Sequence, residues 1–225
     1  GVASTIECWA YFTTLASSRG HTLVCNGGTG GVGGADDLGW NFRYDGDGGN
    51  LEFNGATNSG GISGGALSAG QWYHLAVSRD ADNTTRIYVN GTQTGTGTLA
   101  LTNNDDSHPL KIGDTATGTT RSMYGYIDDM RITKGLAIYT GTFSVPTGAL
   151  TTTWSANPFG GSNTAANSTA SNVGLLLHSD NDGHVGAYGT EQADGRKYYY
   201  TDIKGSKPIK DPRIGAHFGS QRHKF

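Results

Sequence analysis

The 225-residue chain is short of the residues that favour helices and of those that cross-link a chain. It has three glutamates, five prolines and two cysteines. So few strong helix formers argue against a helical protein, and two cysteines cannot supply the disulfide framework of a small secreted domain. No apolar run approaches the ~18 residues that cross a bilayer. The sequence therefore predicts no membrane partner.

Charge is also sparse, and it is unevenly distributed. The formal net charge is −3, which argues against a nucleic-acid partner. Residues 1–185 carry 8 Lys/Arg and 15 Asp/Glu, whereas residues 186–225 carry 8 and 4. Such asymmetry is typical of a docking segment. The alternative is a basic terminus that is simply solvated.

Glycine, by contrast, is abundant, with 37 residues. No G-x-y period runs through the chain, which excludes collagen. The glycines instead separate short alternating segments, of which 71–95 is the clearest. There Leu75 and Val77 alternate with His74 and Ala76, and a tight Asn-Gly turn follows at 90–91. This pattern predicts a β-hairpin.

Similar segments recur through the first 150 residues. They lie at 5–12, 21–26, 38–45, 51–54, 109–113 and 121–132. Many short strands joined by hairpin-like turns, without a convincing helix, predict an all-β protein with two antiparallel sheets or a barrel.

Three regions follow from these patterns. Residues 1–150 are predicted to form the β-domain, and residues 151–173, rich in Ser, Thr, Asn and Ala, a linker or extended arm. Residues 174–225 combine an apolar strand at 174–180 with the basic segment, which is too short and polar to hold a core of its own. The residues predicted to attach it to a partner are Arg196, Lys197, Tyr198, Tyr199, Tyr200, Lys204, Lys207, Lys210 and Arg213.

The two cysteines leave two interpretations open. If strand 5–12 paired with 21–28 around a symmetric loop, Cys8 would lie opposite Cys25, and a disulfide would be feasible. Alternatively both are small buried hydrophobic side chains, and we favour this second interpretation.

Several motifs in a fixed order carry a family resemblance. They are TIECW at 5–9, QWYHLAVSR at 71–79, RIYVNG at 86–91, LKIG at 110–113 and GYIDDMRI at 125–132. In this order they resemble the laminin-G / concanavalin A-like jelly roll over residues 5–147. The resemblance implies a two-sheet antiparallel sandwich that often binds sugar or protein through loops at one edge.

A narrower resemblance begins near Ile132. Residues 132–147 are similar to the end of laminin-G-like modules in virion proteins of tailed bacteriophages, and 175–180 to the opening of a following repeat. This implies a tail fibre or appendage on the particle surface, a homo-oligomer, with other virion proteins and host-surface glycans as partners. It also implies that the family's first strand precedes Gly1, so that 174–180 or another subunit replaces it. We expect the chain to be cleaved or part of a longer protein.

Sugar binding needs exposed aromatic side chains beside polar groups. The predicted set is Trp40, Tyr44 and Tyr73, because Trp40 and Tyr44 share one strand face near a polar turn, whereas Trp9 and Trp72 occupy core-like positions.

Calcium is the one metal for which the sequence offers candidate ligands. Asp45, Asp47 and Asn50 cluster oxygen atoms in one turn, and 180–182 is a second acidic turn. The alternative is that Asp and Asn are there because they favour turns.

Catalysis is not predicted. Glycoside hydrolysis needs two carboxylates flanking the scissile bond. Glu7 and Glu52 lie on predicted strands without a second glutamate nearby, and Asp128 and Asp129 also lack one. The GTGGVG stretch at 28–33 matches a dinucleotide-binding pattern, but an alternating strand follows it instead of a helix, so we interpret it as a loop.

Overall fold

The computed structural model describes residues 2–15, 20–27, 39–55, 61–101, 110–114, 121–153, 170–178 and 187–188. These ranges contain twelve strands and a 3-10 turn at Ala170–Asn172. In them no α-helix occurs, and hence no helix with the length and apolar character needed to cross a membrane.

The strands form two antiparallel sheets. The larger has the order β12-β11-β10-β1-β6-β7-β8 and the smaller β5-β4-β3-β2-β9. Their bounds are β1 Ser4–Phe12, β2 Gly20–Gly27, β3 Gly39–Asp45, β4 Asn50–Asn54, β5 Ile62–Ser63, β6 Trp72–Arg79, β7 Thr84–Val89, β8 Thr92–Thr98, β9 Leu110–Ile112, β10 Gly125–Lys134, β11 Val173–Leu177 and β12 Ala187–Tyr188. The prediction of an all-β, two-sheet antiparallel sandwich is confirmed.

The main core lies between the sheets and follows the two-residue period of the strands. On β1 the inward side chains are Ile6, Cys8, Ala10 and Phe12, all buried. The smaller sheet contributes a matching set of buried side chains, among them Leu23, Phe42, Leu51 and Phe53. Burial of these faces from water is the main force that holds the sheets together.

The two cysteines belong to different sheets. β1 pairs with β10 and β6, whereas β2 pairs with β3 and β9. The pairing of strand 5–12 with 21–28 is therefore wrong. Cys8 is buried between the sheets, and the buried Cys25 donates its thiol proton to the carbonyl of Asp114 at 3.4 Å. Both are free thiols, which confirms the interpretation as buried hydrophobic side chains.

The apolar strand predicted at 174–180 joins the sandwich. It is observed as β11, which pairs with β10 and places Leu175 and Leu177 in the main core. On its other side Val173 and Leu176 pack with Leu150. The larger sheet therefore gains an edge strand from beyond residue 150.

A segment without regular structure, residues 136–151, crosses the outer face of the larger sheet; we call it the cap segment. Tyr139 and Phe143 stack with ring centroids 3.6 Å apart, and both contact Tyr88 of β7. The Thr5 hydroxyl accepts a hydrogen bond from the Ile138 amide at 2.8 Å. The cap segment thus buries one half of this face beneath a small second core.

The turn between β7 and β8 fits the cap segment only because residue 91 is glycine. Gly91 has φ +77°, and a Cβ atom there would lie 2.1 Å from the Phe143 carbonyl oxygen. Gly70 has φ +88°, but a Cβ atom on it would meet nothing within 4 Å. The two glycines therefore share a backbone conformation but differ in crowding.

We predict that Gly91→Ala destabilises the fold by about 2 kcal/mol or more, because it combines a left-handed backbone with a collision. Gly70→Ala should cost about 1 kcal/mol, since only the backbone conformation is penalised. Urea unfolding of both variants measures the difference. Equal losses would contradict tight packing of the cap segment on this turn.

Candidate functional site

The outer face of the larger sheet is divided into two halves. On β1 the outward side chains are Thr5, Glu7, Trp9 and Tyr11. Thr5 and Glu7 lie beneath the cap segment and are buried, whereas Trp9 and Tyr11 are half-buried. The capped half holds a polar network, and the uncapped half holds aromatic side chains.

Glu7 is the centre of the capped half and is fully buried. Its Oε1 accepts hydrogen bonds from Arg131 Nε at 2.8 Å and Nη2 at 2.5 Å. Its Oε2 accepts from the Tyr139 hydroxyl at 2.6 Å and contacts His74 Nε2 at 3.2 Å. Because an ionised carboxylate can only accept hydrogen bonds, His74 Nε2 carries a proton.

Burial alone would raise the pKa of Glu7, but the neighbouring groups outweigh this effect. The Arg131 charge and the hydrogen bonds from His74 and Tyr139 lower the pKa to about 2. Burial and the Glu7 charge raise the pKa of Tyr139 well above its usual value, so this phenol stays a donor. Glu7 is therefore an ionised anchor, to which Tyr139 of the cap segment binds.

We predict that acid weakens the fold through Glu7. Its folded-state pKa is depressed, so its contribution is present above pH 4.5 and is lost as pH falls towards 2. The loss should be roughly 3 kcal/mol. Urea unfolding across this pH window measures it.

Two variants check the assignment. Glu7→Gln should remove this part of the pH dependence and destabilise the protein at neutral pH, because Arg131 is left buried without its charge partner. Glu52→Gln, which removes a partly exposed carboxylate of the smaller sheet, is the matched control for the loss of one acidic group. An unchanged profile in Glu7→Gln would show that another group causes the acid sensitivity.

The uncapped half carries an aromatic cluster formed by Tyr11, Trp72 and Tyr126. They lie on three neighbouring strands, with Tyr11 of β1 in register with Trp72 of β6 and Tyr126 of β10. The Tyr11 ring is 5.7 Å from Trp72 and 5.8 Å from Tyr126, between centroids. Trp72 and Tyr126 are 6.4 Å apart. Since strands two positions apart are separated by about 9.6 Å, these two rings lean towards each other over Tyr11.

The cluster is accessible. Trp72 is 45% exposed, and it and Val2 are the exposed large hydrophobic side chains among the residues described. Trp9 extends the cluster along β1 and meets the edge of His74 at a centroid distance of 5.5 Å, where the capped half begins. Trp9 therefore lies between the cluster and the capped half.

A β-bulge lies beside the cluster. Between Glu7 and Trp9 the register of β1 with β10 shifts, and Asp129 takes φ +48°. Asp128 faces the same side as Trp9, and its Oδ1 accepts a hydrogen bond from the Asp129 amide at 2.7 Å. Asp129 binds His178 Nδ1; burial raises the pKa of Asp129, and this bond opposes the rise. The bulge thus places Asp128 beside Trp9 on the outer face, while Asp129 is buried against His178.

The aromatic residues predicted to bind sugar are not exposed. Tyr44 is 5% and Tyr73 is 7% exposed, and both belong to the main core. Trp40 is half-buried and packs against Phe53, with ring centroids 6.0 Å apart. Tyr44 and Tyr73 are therefore too buried to form an accessible surface, whereas sugar binding by Trp40 stays a prediction.

Asp45, Asp47 and Asn50 lie in the turn between β3 and β4. Asp45 Oδ2 accepts from the Gly48 amide at 3.1 Å, and Asn50 donates to the Gly48 carbonyl at 2.6 Å. Asp45 Oδ1 also lies 3.6 Å from Arg43. In the described ranges no three or more Asp, Glu, His or Cys side chains are grouped to hold a metal. The geometry fits the alternative in which these residues build the turn.

The remaining predicted elements lie outside the described residues. These are the attachment residues between 196 and 213, the glycine-rich stretch 28–33 and the acidic turn at 180–182.

The second described glutamate, Glu52, lies on β4 of the smaller sheet. Its Oε2 is 3.4 Å from Arg43 Nη2 and accepts a hydrogen bond from Asn54 at 3.2 Å. Glu7 belongs to the other sheet and has no exposed surface. The two glutamates therefore cannot flank one substrate.

Comparison with known proteins places the chain in a family. The laminin-G model of the concanavalin A-like lectin/glucanases superfamily matches residues 1–137. The chain belongs to this family. The concanavalin A-like resemblance of the sequence is thereby confirmed. No curated protein matches the chain.

Several solved structures are similar to part of this chain at low identity. A heptameric SAP-like pentraxin from Limulus polyphemus is 18% identical over 58% of this chain and 63% of its own, with a TM-score of 0.39. Trypanosoma rangeli sialidase is 20% identical over 58% of this chain and 20% of its own, with a TM-score of 0.40. Domain 4 of the arabinanase AbnA from Geobacillus stearothermophilus, in complex with arabinotriose, is 19% identical over 59% of this chain and 61% of its own, with a TM-score of 0.37.

These likenesses are partial. The chain spans about three fifths of the pentraxin and a fifth of the sialidase. With identities of 18–20% and TM-scores of 0.37–0.40, these similarities are remote.

Sequence reasoning missed Tyr11 and Tyr126 and misplaced Trp72. The signal for Tyr11 was present, because the alternation that puts Cys8, Ala10 and Phe12 in the core puts Tyr11 on the opposite face. Trp72 precedes the inward residues Tyr73 and Leu75, so it is outward by the same rule. Its exposure, however, depends on where the cap segment ends.

Proposed function

We propose that this chain is a carbohydrate-binding domain without catalytic activity, and that the aromatic cluster is its binding surface. The observation that carries the proposal is the exposed Trp72 beside Tyr11 and Tyr126 on the uncapped half of the sheet. An aromatic ring offers a flat apolar face, and Tyr and Trp add a polar edge. This combination suits a sugar, whose ring has apolar C–H faces and a rim of hydroxyl groups. Membership of a lectin/glucanase superfamily supports the same class of ligand.

The state of the glutamates supports binding without hydrolysis. Glycosidases of the common type need a proton-donating carboxyl and a second carboxylate on one substrate. Glu7 is inaccessible and held ionised by Arg131, and Glu52 is engaged with Arg43. We therefore expect no release of reducing ends from any glycan that the protein binds.

We predict that Trp72→Ala weakens glycan binding about five- to tenfold, because loss of one stacked ring removes about 1 kcal/mol or more. Screening on a glycan array followed by calorimetry on the best ligand measures the change. Trp72→Phe keeps a ring face and should retain most of the affinity.

Val2→Ala is the matched control, since Val2 is exposed and apolar but lies at the start of the described chain, before β1. It should bind like the parent protein. Failure of the parent to bind any glycan would contradict the proposal, and an unaffected Trp72→Ala variant would contradict the assignment of the surface.

We further propose that this domain belongs to a bacteriophage virion, as part of a tail fibre or other surface appendage. The similarity of residues 132–147 to phage laminin-G-like modules supports this, and those residues include most of the cap segment. In this proposal the domain is displayed as a homo-oligomer on the particle surface to meet host glycans. The basic segment attaches the domain to other virion proteins through the predicted attachment residues between Arg196 and Arg213.

We predict that removal of residues 190–225 leaves a folded domain that binds glycan but no longer enters particles. The truncation keeps β12, which pairs with the edge strand β11. Circular dichroism checks the fold, and immunoblotting of purified particles checks incorporation.

A second variant keeps residues 190–225 but has glutamine in place of the basic residues between 196 and 213. It distinguishes the effect of charge on incorporation from the effect of chain length. Loss of incorporation in both variants supports electrostatic attachment. Normal incorporation of the truncated chain would contradict attachment through this segment.

A further inference from the structure

We infer that Tyr73 is a positioning residue of the aromatic cluster: its buried hydroxyl holds the chain that enters β6 and thereby fixes the exposed Trp72 ring in the orientation that a glycan meets. The inference rests on the proposed function, because it concerns the same surface. Tyr73 itself belongs to the main core, so it acts on the glycan through Trp72 and not by contact.

Trp72 lies at the end of its strand. It is the first residue of β6 and is in register with Tyr11 of β1. The register of β6 with β7 covers Leu75 to Arg79 and so begins beyond Trp72. Strand ends open more readily than strand middles, because fewer hydrogen bonds hold them. The orientation of Trp72 therefore depends on what fixes the chain immediately before it.

The phenol of Tyr73 fixes that chain. Its oxygen accepts hydrogen bonds from the Ser68 amide at 3.0 Å and from the side-chain amide of Gln71, and it donates its proton to the Ser68 carbonyl at 3.2 Å. The Tyr73 side chain is buried, whereas Ser68 and Gln71 are exposed. A ring that is held in the core therefore anchors two surface residues just before Trp72.

The same chain is held at further points by both sheets. Residues 64–71 connect β5 to β6 and so cross from the smaller sheet to the larger one; we call them the crossing loop. On the smaller sheet, the Tyr44 phenol forms a hydrogen bond with the Leu67 backbone. On the larger sheet, the Gly70 amide donates to the Phe12 carbonyl at 2.8 Å. Both tyrosines of the predicted sugar-binding set thus support the surface from within.

Removal of the phenol oxygen should loosen the crossing loop without unfolding the protein. In Tyr73→Phe the ring stays in the core, and the polar groups that it releases belong to exposed residues, which can form hydrogen bonds with water instead. Trp72 should then occupy the binding orientation for only part of the time. When a binding-competent arrangement is populated for about a quarter of the time, the apparent affinity falls about fourfold.

The test compares Tyr73→Phe with Tyr88→Phe. Tyr88 is the matched control because it is a buried tyrosine of the same sheet whose hydroxyl donates to the Tyr139 carbonyl, at 3.1 Å, in the capped half. The probes are the linear hexasaccharides of glucose, galactose and mannose, and calorimetry measures their affinity. We expect Tyr73→Phe to weaken binding about three- to fivefold and Tyr88→Phe to bind like the parent protein.

A spectroscopic measurement reports the position of Trp72 itself. Incorporation of fluorotryptophan gives each indole a fluorine NMR resonance, and the resonance that is lost in Trp72→Phe belongs to Trp72. Without glycan, this resonance should shift in Tyr73→Phe and stay in place in Tyr88→Phe. At saturating glycan, the resonance in Tyr73→Phe should return to the position of the bound parent, because the ligand selects the same orientation. A general loss of stability would not move one indole in this way.

The outcomes are distinguishable. A loss of affinity in Tyr73→Phe with an unchanged Trp72 resonance would overturn the positioning role, and so would an unchanged affinity. Equal losses in both tyrosine variants would indicate a general effect of stability and would likewise overturn it. Absence of parent binding to the hexasaccharides and to the wider array would overturn the proposed function, whereas the resonance of the free protein tests the hold of Tyr73 on Trp72 by itself.

Discussion

The structure depends on one buried carboxylate. Glu7 lies in the middle strand of the larger sheet, on the face that points away from the main core, and it would be costly there without partners. Arg131 supplies the opposite charge from the neighbouring strand, while His74 and Tyr139 supply hydrogen bonds. Arg131 also donates to the Thr151 carbonyl at 2.8 Å. A single anion therefore connects β1, β6 and β10 with both ends of the cap segment.

This arrangement determines which part of the sheet face remains accessible to solvent. The cap segment covers the sheet as far as Phe143, which meets the edge of His74 at a centroid distance of 5.6 Å. Beyond that contact Trp72 is exposed, and the other aromatic side chains on the outer face of β1 and β10 are half-buried. The same face is therefore a core on one side of His74 and a surface on the other.

Much of the fold can be predicted from the sequence, because strand alternation is a local property. The alternation of apolar residues from Ile6 to Phe12 identifies the core face of β1 from the sequence alone. Strand order is not local: β1 and β2 are consecutive but lie in different sheets, so the pairing of Cys8 with Cys25 could not be judged from spacing. Exposure is not local either. Trp40 and Trp72 both lie on alternating strands, and only the packing of the two sheets and of residues 136–151 decides which indole reaches solvent.

The bulge at Asp129 changes which residues of β10 face outward. Before it, even-numbered residues such as Tyr126 point outward, and after it odd-numbered ones such as Arg131 do. A regular strand with the same residues could present the tyrosine or the guanidinium on that side, but not both. One additional residue thus lets a single strand place Tyr126 on the outer face at one end and Arg131 beside Glu7 at the other, and the deletion of one residue within Asp128–Met130 would remove this arrangement.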